Sequence, residues 1–213
     1  MTPGSGRLPK QGLYAITDGR QGAALLAAVA AALEGGAALL QYRDKTTEHS
    51  RRYHEAHELL KLCRDHAVPL IINDDVALCG ELGADGVHLG HADVTPSAAR
   101  SALGPQAIIG LSCYNALPRA AAAASVDYLA FGAFYPSPTK PQALRAETSL
   151  LRQARAAYPP QRLSAIGGIA AVNAQPLIAA GADYLAVISG VFGAADITQA
   201  ARTIAALFQQ RSA

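Results

Sequence analysis

The stretch Gly83-Ala84-Asp85-Gly86-Val87-His88-Leu89-Gly90-His91-Ala92-Asp93 decides how this chain is read. It leaves a helix at a glycine, turns straight back into a short apolar run, and finishes in polar and charged residues. Its opening recurs as Gly36-Ala37-Ala38-Leu39 and Gly181-Ala182-Asp183-Tyr184-Leu185, with Ser125-Val126-Asp127-Tyr128-Leu129 as a degenerate copy. A helix that ends at glycine and reverses into a strand is the usual αβ connection. The copies lead into the second, fourth, sixth and eighth apolar runs, as expected for a double βα unit used repeatedly.

Working outward, runs rich in Ile, Leu, Val and Tyr predict strands at residues 13–17, 38–43, 69–73, 86–89, 108–112, 128–132, 163–166 and 184–188. Each is too short for a helix, and most are apolar on both faces, as in parallel sheets covered by helices. Alanine-rich stretches with helical spacing predict helices at 22–34, 48–66, 76–82, 96–103, 116–125, 149–157, 172–180 and 197–211. Thr95 followed by Pro96 reads as an N-cap with proline in the first helical turn, and Thr47 and Asn115 are placed to cap in the same way. This strict alternation predicts a single-domain α/β fold, a (β/α)8 TIM barrel, with a doubly wound open sheet as the second choice. Residues 1–12 read as a loose leader and 13–213 as the catalytic domain.

Composition narrows the function. The 213 residues are 51% hydrophobic with a formal net charge of +2, and no run gathers like charges, so a nucleic-acid surface is not expected. The longest apolar stretch, 23–33, is too short to span a bilayer, and the polar start carries no signal segment. Cys63, Cys79 and Cys113 are far apart with no C-x-x-C pair, which suits free thiols in the cytoplasm. His88 and His91 lack the further ligands a zinc site needs.

Polar residues collect at the downstream ends of the strands, which is where a parallel barrel places its active site. Gln41, Arg43 and Lys45 are spaced by two and share one face if the strand continues. Such a row suits an anion such as diphosphate, and a solvated strand end is the alternative. Asp74 and Asp93 follow adjacent strands and make a hard oxygen site suited to Mg2+, unless Asp74 is only a cap. Asp75 is placed to begin the following helix. The segment 133–148 is long for a βα loop. Pro136, Pro138 and Pro141 restrain Ser137, Thr139 and Lys140 there, for phosphate oxygens or as a plain surface turn. Gly167-Gly168 and Ile188-Ser189-Gly190 end the last two runs, where barrels of this kind cradle a second phosphate. Two anion sites and a divalent metal on one rim suggest joining two phosphorylated molecules, with diphosphate leaving.

In order along the chain, Tyr14-Ala15-Ile16-Thr17-Asp18, Gln41-Tyr42-Arg43-Asp44-Lys45, Ile72-Asn73-Asp74, Asp85 to Asp93, Gly110-Leu111-Ser112, Tyr135 to Lys140, Ala165 to Ile169 and Val187-Ile188-Ser189 resemble the thiamine-phosphate synthase family. The resemblance implies a transferase of thiamine biosynthesis on a TIM barrel. It joins hydroxymethylpyrimidine diphosphate to thiazole phosphate, giving thiamine phosphate and diphosphate through a pyrimidine-methyl cation. It further implies that Gln41, Arg43, Lys45, Asn73, Ser112 and Lys140 hold the pyrimidine diphosphate, and that Asp74 and Asp93 carry Mg2+. Ser137, Thr139, Gly168, Ile188 and Ser189 would serve the thiazole phosphate. The chain departs from the family pattern at His91, commonly glutamine, and at Ser137, commonly threonine. A related thiazole tautomerase on the same barrel and a phosphate-binding regulator without turnover are the rival readings. Small-molecule substrates are the expected partners, and a homo-oligomer stays open.

Overall fold

The alternation closes into a ring. A computed structural model describes residues 8–137, 142 and 144–209, and within them eight parallel strands pair in chain order, with the last returning to the first. These are β1 (Gly12–Ile16), β2 (Ala37–Tyr42), β3 (Leu70–Asn73), β4 (Gly86–Leu89), β5 (Ile108–Tyr114), β6 (Tyr128–Gly132), β7 (Arg162–Ile166) and β8 (Tyr184–Val187). Around them run α1 (Gly22–Glu34), α2 (His49–Asp65), α3 (Val76–Leu82), α4 (Pro96–Leu103), a 3-10 helix (Leu117–Ser125), α5 (Thr148–Ala157), α6 (Ala171–Ala179), α7 (Ser189–Phe192) and α8 (Ile197–Ala206). The β1–β8 pairing makes this a (β/α)8 TIM barrel and removes the open sheet. Residues 1–7 of the expected leader, Thr139 and Lys140, and the end of the last expected helix at 210–211 lie outside the described residues. No described helix is long and apolar enough to cross a membrane.

The aspartate of the repeat has a physical task. Asp85 accepts the backbone N–H of Leu70 at 2.9 Å, Asp127 that of Ile109 at 2.8 Å, and Asp183 that of Leu163 at 2.8 Å. Each carboxylate at the start of an even strand thus ties it to the odd strand before it. Asp127 is also bonded by Arg100 at 2.7 Å and Asp183 by Arg155, both arginines coming from the helices that lead back to the barrel floor. The copy before β2 carries Ala38 at this position and has no such clamp.

Side chains alternate between two cores. On β1, Leu13 and Ala15 pack outward against the helices, while Tyr14 and Ile16 point into the barrel. Inside, Tyr14, Tyr128 and Tyr184 meet edge to face with centroids 5.7 to 6.4 Å apart, and Leu8 packs with them at 8% exposure. Gly110 makes this possible, because a Cβ there would fall 2.0 Å from the Tyr128 ring.

Some boundaries differ from expectation. The 116–125 stretch is a 3-10 helix whose buried Ala120 and Ala123 lie three apart, the repeat of that tighter coil. Thr95 caps α4 through Ala98 N–H at 3.3 Å, but Glu48 holds the N-cap position of α2 and Ala116 that of the 3-10 helix, neither with a side-chain cap. Thr47 and Asn115 therefore cap nothing. Arg51 ties down the loop before α2 instead, through Asp44 and Thr46. An unexpected α7 follows β8, since Ile188 O accepts from Val191 and Phe192, whose side chains are buried.

Candidate active site

A cavity of about 880 Å³ opens at the carboxyl ends of the strands. Gln41, Arg43, Asn73 and Ser112 line one side, and Ser137, Gly168, Ile188 and Ser189 line the other. Tyr14, Ile16, Ser164 and Ala186 lie at its floor, so eight expected site residues from six strands and the segments after them converge on one space.

The β2 edge is built differently from the expected row. Tyr42 is the last strand residue; beyond it Thr17 Oγ1 accepts the Arg43 N–H at 2.8 Å and donates back to the Arg43 carbonyl at 3.3 Å. Asp44 turns outward to Arg51 at 2.7 Å, and Arg51 also holds Glu55 at 2.9 Å. Glu55 in turn accepts from Tyr42 Oη at 2.7 Å and from Gly22 N at 2.8 Å. The chain therefore leaves the strand line before Lys45. Gln41 and Arg43 line the cavity, while Lys45 sits apart with Nζ 2.8 Å from Asp74 Oδ2.

Asp74 adopts a left-handed backbone, φ 65°, with its N–H on the His88 carbonyl at 2.8 Å. Such strain concentrates at functional sites. Its carboxyl lies within hydrogen-bond reach of Asp93, whose Oδ2 accepts Gly90 N–H at 2.6 Å. Burial and then the neighbouring Asp74 push the Asp93 carboxyl up; burial acts on Asp74 in the same sense but is outweighed, chiefly by Lys45, leaving it below the usual carboxylate range. Two half-sheltered carboxyl groups this close fit a divalent cation that completes its shell with substrate oxygens. Among the described residues no third His, Cys, Asp or Glu joins them. Asp75, as expected, caps α3 by accepting Leu78 N–H at 2.9 Å. The three thiols are buried and pushed up to about 12 by burial, which makes them inert packing groups.

Several residues escape sequence reasoning. Arg119 lines the cavity with its guanidinium 4.7 Å from the Tyr114 ring centre, and its Nε is buried without a hydrogen-bond partner among the described residues. Asn173 accepts Ala170 N–H at 2.9 Å and donates to the Gly168 carbonyl at 3.0 Å, fixing the loop after β7. Gly168 itself has φ 61°, and a Cβ there would meet the Pro136 carbonyl at 2.2 Å. His88 and His91 also border the cavity, with His88 drawn into the barrel interior.

Comparison with known proteins places this geometry. The family model described as thiamine monophosphate synthase matches residues 13–191. The chain is 51% identical to a thiamine-phosphate synthase of Methylococcus capsulatus, over 94% of this chain and 90% of that one. It is 54% identical to a thiamine-phosphate synthase of Azoarcus sp., over 93% and 97%. Its fold superposes on a thiamine phosphate pyrophosphorylase from Pyrococcus furiosus with a TM-score of 0.85 and 32% identity, covering 96% of this chain and 98% of that one. The chain belongs to the thiamine monophosphate synthase family.

Proposed function

We propose that this enzyme joins hydroxymethylpyrimidine diphosphate to thiazole phosphate, forming thiamine phosphate and releasing diphosphate. The observation that carries the reading is the meeting of Asp74 and Asp93 beside Lys45, next to a cavity whose lining includes their chain neighbours Asn73 and His91, with Arg43 and Ser112 on one wall and Gly168 and Ser189 on the other. That arrangement supports one anion and a cation site on the β2–β5 side and a second anion site at β7–β8.

In this reading Gln41 and Asn73 orient the pyrimidine, and Arg43, Lys45, Ser112 and Lys140 hold its diphosphate. Ser137, Thr139, Gly168, Ile188 and Ser189 hold the thiazole phosphate. Asp74 and Asp93 would hold Mg2+, which when bound would supply positive charge toward the leaving diphosphate. The carbon–oxygen bond of the pyrimidine methylene breaks with its electron pair going to diphosphate, and the thiazole nitrogen lone pair then forms the carbon–nitrogen bond. That nitrogen carries no proton to remove, so no general base is needed. Charge stabilisation and alignment are what the residues supply. A unit charge pair at ~4 Å is worth ~4 kcal/mol at an effective dielectric of ~20, and ~1.4 kcal/mol is tenfold in rate. Two or three such contacts suffice for much of the barrier lowering.

The test is an assay of diphosphate with both substrates and Mg2+. Release that requires both substrates supports the synthase. Isomerisation of a thiazole carboxylate phosphate without diphosphate release would make the chain a tautomerase, and binding without turnover would make it a regulator.

A further inference from the structure

Beneath the cavity runs an unbroken chain of hydrogen bonds whose middle members, Tyr14, Tyr128 and His88, have no part in the proposed chemistry. Gln41 Nε2 donates to Tyr14 Oη at 2.6 Å, Tyr14 Oη lies 2.7 Å from Tyr128 Oη, Tyr128 Oη lies 2.8 Å from His88 Nδ1, and His88 Nε2 lies 2.9 Å from Ser112 Oγ. The first four side chains belong to residues no more than 8% exposed. We infer that His88 is a positioning residue: held as the neutral tautomer with its proton on Nε2, it donates to Ser112 and leaves the Ser112 hydroxyl proton aimed at the ligand.

Proton accounting gives the direction. The Gln41 amide nitrogen only donates, so the Tyr14 oxygen must accept there and send its own proton to Tyr128. Tyr128 sends its proton to His88 Nδ1, which makes that nitrogen the acceptor and puts the ring proton on Nε2. Burial pushes both phenols above their ordinary range, so each keeps the proton it passes on. Run the other way, the chain ends with the Tyr14 hydroxyl proton facing the Gln41 N–H2 that this structure turns toward it, donor against donor in a dry interior. That direction also turns Ser112 lone pairs toward the cavity, which repels an anion.

The fold builds the arrangement deliberately into its register. Gly110 stands level with His88 on one side and Tyr128 on the other, and only the absence of its side chain lets the two meet across β5. The His88 and Tyr128 rings stack at 5.5 Å and 24°, while Tyr14 and Tyr184 wedge Tyr128 edge-on. The ring planes are therefore fixed before any ligand arrives. What Ser112 donates to rests on the proposed function, where it is a diphosphate oxygen; the tautomer does not.

The experiment is nitrogen NMR of the His88 ring in the full unliganded chain, combined with a double-mutant cycle. The inference requires a neutral ring protonated at Nε2; a ring protonated at Nδ1, or at both nitrogens, overturns it. In turnover, Tyr128→Phe should lower kcat about tenfold with KM changed far less, as for one lost hydrogen bond in the transition state. The same change in a Ser112→Ala background should cost nothing more. Equal losses in both backgrounds would mean that Tyr128 acts only through packing. Should the chain fail to join the two substrates while the Nε2–H tautomer is observed, the function falls and the positioning inference stands.

Discussion

Lys45 Nζ lies 2.8 Å from Asp74 Oδ2, so the last cation of the β2 loop stands beside the carboxylate pair. This pair is open to solvent, at 61% and 31% side-chain exposure, and such bridges contribute about 0–1 kcal/mol to stability. Its value lies in the charge it places beside Asp74 and Asp93.

Lys45→Ala should therefore leave the melting temperature within about 2 °C while cutting kcat/KM about a hundredfold. Calorimetry and steady-state kinetics on the same preparation check this. A large fall in stability, or unchanged kinetics, would show that Lys45 holds the loop and nothing more.

Asp93→Asn keeps the shape and the contact with Gly90 but removes one charge from the pair. The half-saturating Mg2+ concentration for turnover should rise tenfold or more, since Mg2+ is held by one or two carboxylates and substrate oxygens. A Mg2+ titration that superposes on that of the unmodified enzyme would remove Asp93 from the cation site.

Arg119 brings a cation to the cavity wall on the face of Tyr114, with no bonded partner for its Nε among the described residues. Arg119→Ala should raise the KM for the diphosphate substrate about tenfold, the loss of one screened charge contact, with kcat reduced less. An unchanged KM would make the pair a surface stacking contact.

The barrel floor makes the opposite prediction. The Asp127 side chain is fully buried, and its loss would leave the Ile109 N–H without this acceptor and Arg100 without its charged partner, on backbone carbonyls alone. Asp127→Ala should cost about 3 kcal/mol, about 6–12 °C in melting temperature, with the KM values of the folded enzyme unchanged. Thermal melts and kinetics below the transition measure both.

The repeat made the architecture legible because each Gly-Ala-Asp segment marks a physical event, a helix ending and a carboxylate gripping the neighbouring strand. Strand ends were legible too: Arg43, Ser112, Gly168 and Ser189 reach one cavity because parallel strands deliver their carboxyl ends to one rim. A face shared by Lys45 with Gln41 and Arg43 required the strand to continue, and nothing local announces that it ends at Tyr42, where Thr17 and Arg51 divert the chain. Tyr14 and Tyr128 read only as strand residues, and His88 only as half of an H-x-x-H pair, yet all three are buried and bonded to one another. Their linkage depends on register across β1, β4, β5 and β6, which no local pattern carries. Arg119 sits in an alanine-rich helix, where a lone arginine reads as a solvated face.

One crystal would test the central claim most directly: the enzyme soaked with diphosphate and Mn2+ in place of Mg2+, located by anomalous scattering. The account predicts a cation between Asp74 and Asp93, with diphosphate oxygens reaching Arg43 and Ser112. A cation peak elsewhere, or diphosphate confined to the Gly168–Ser189 side, would contradict it.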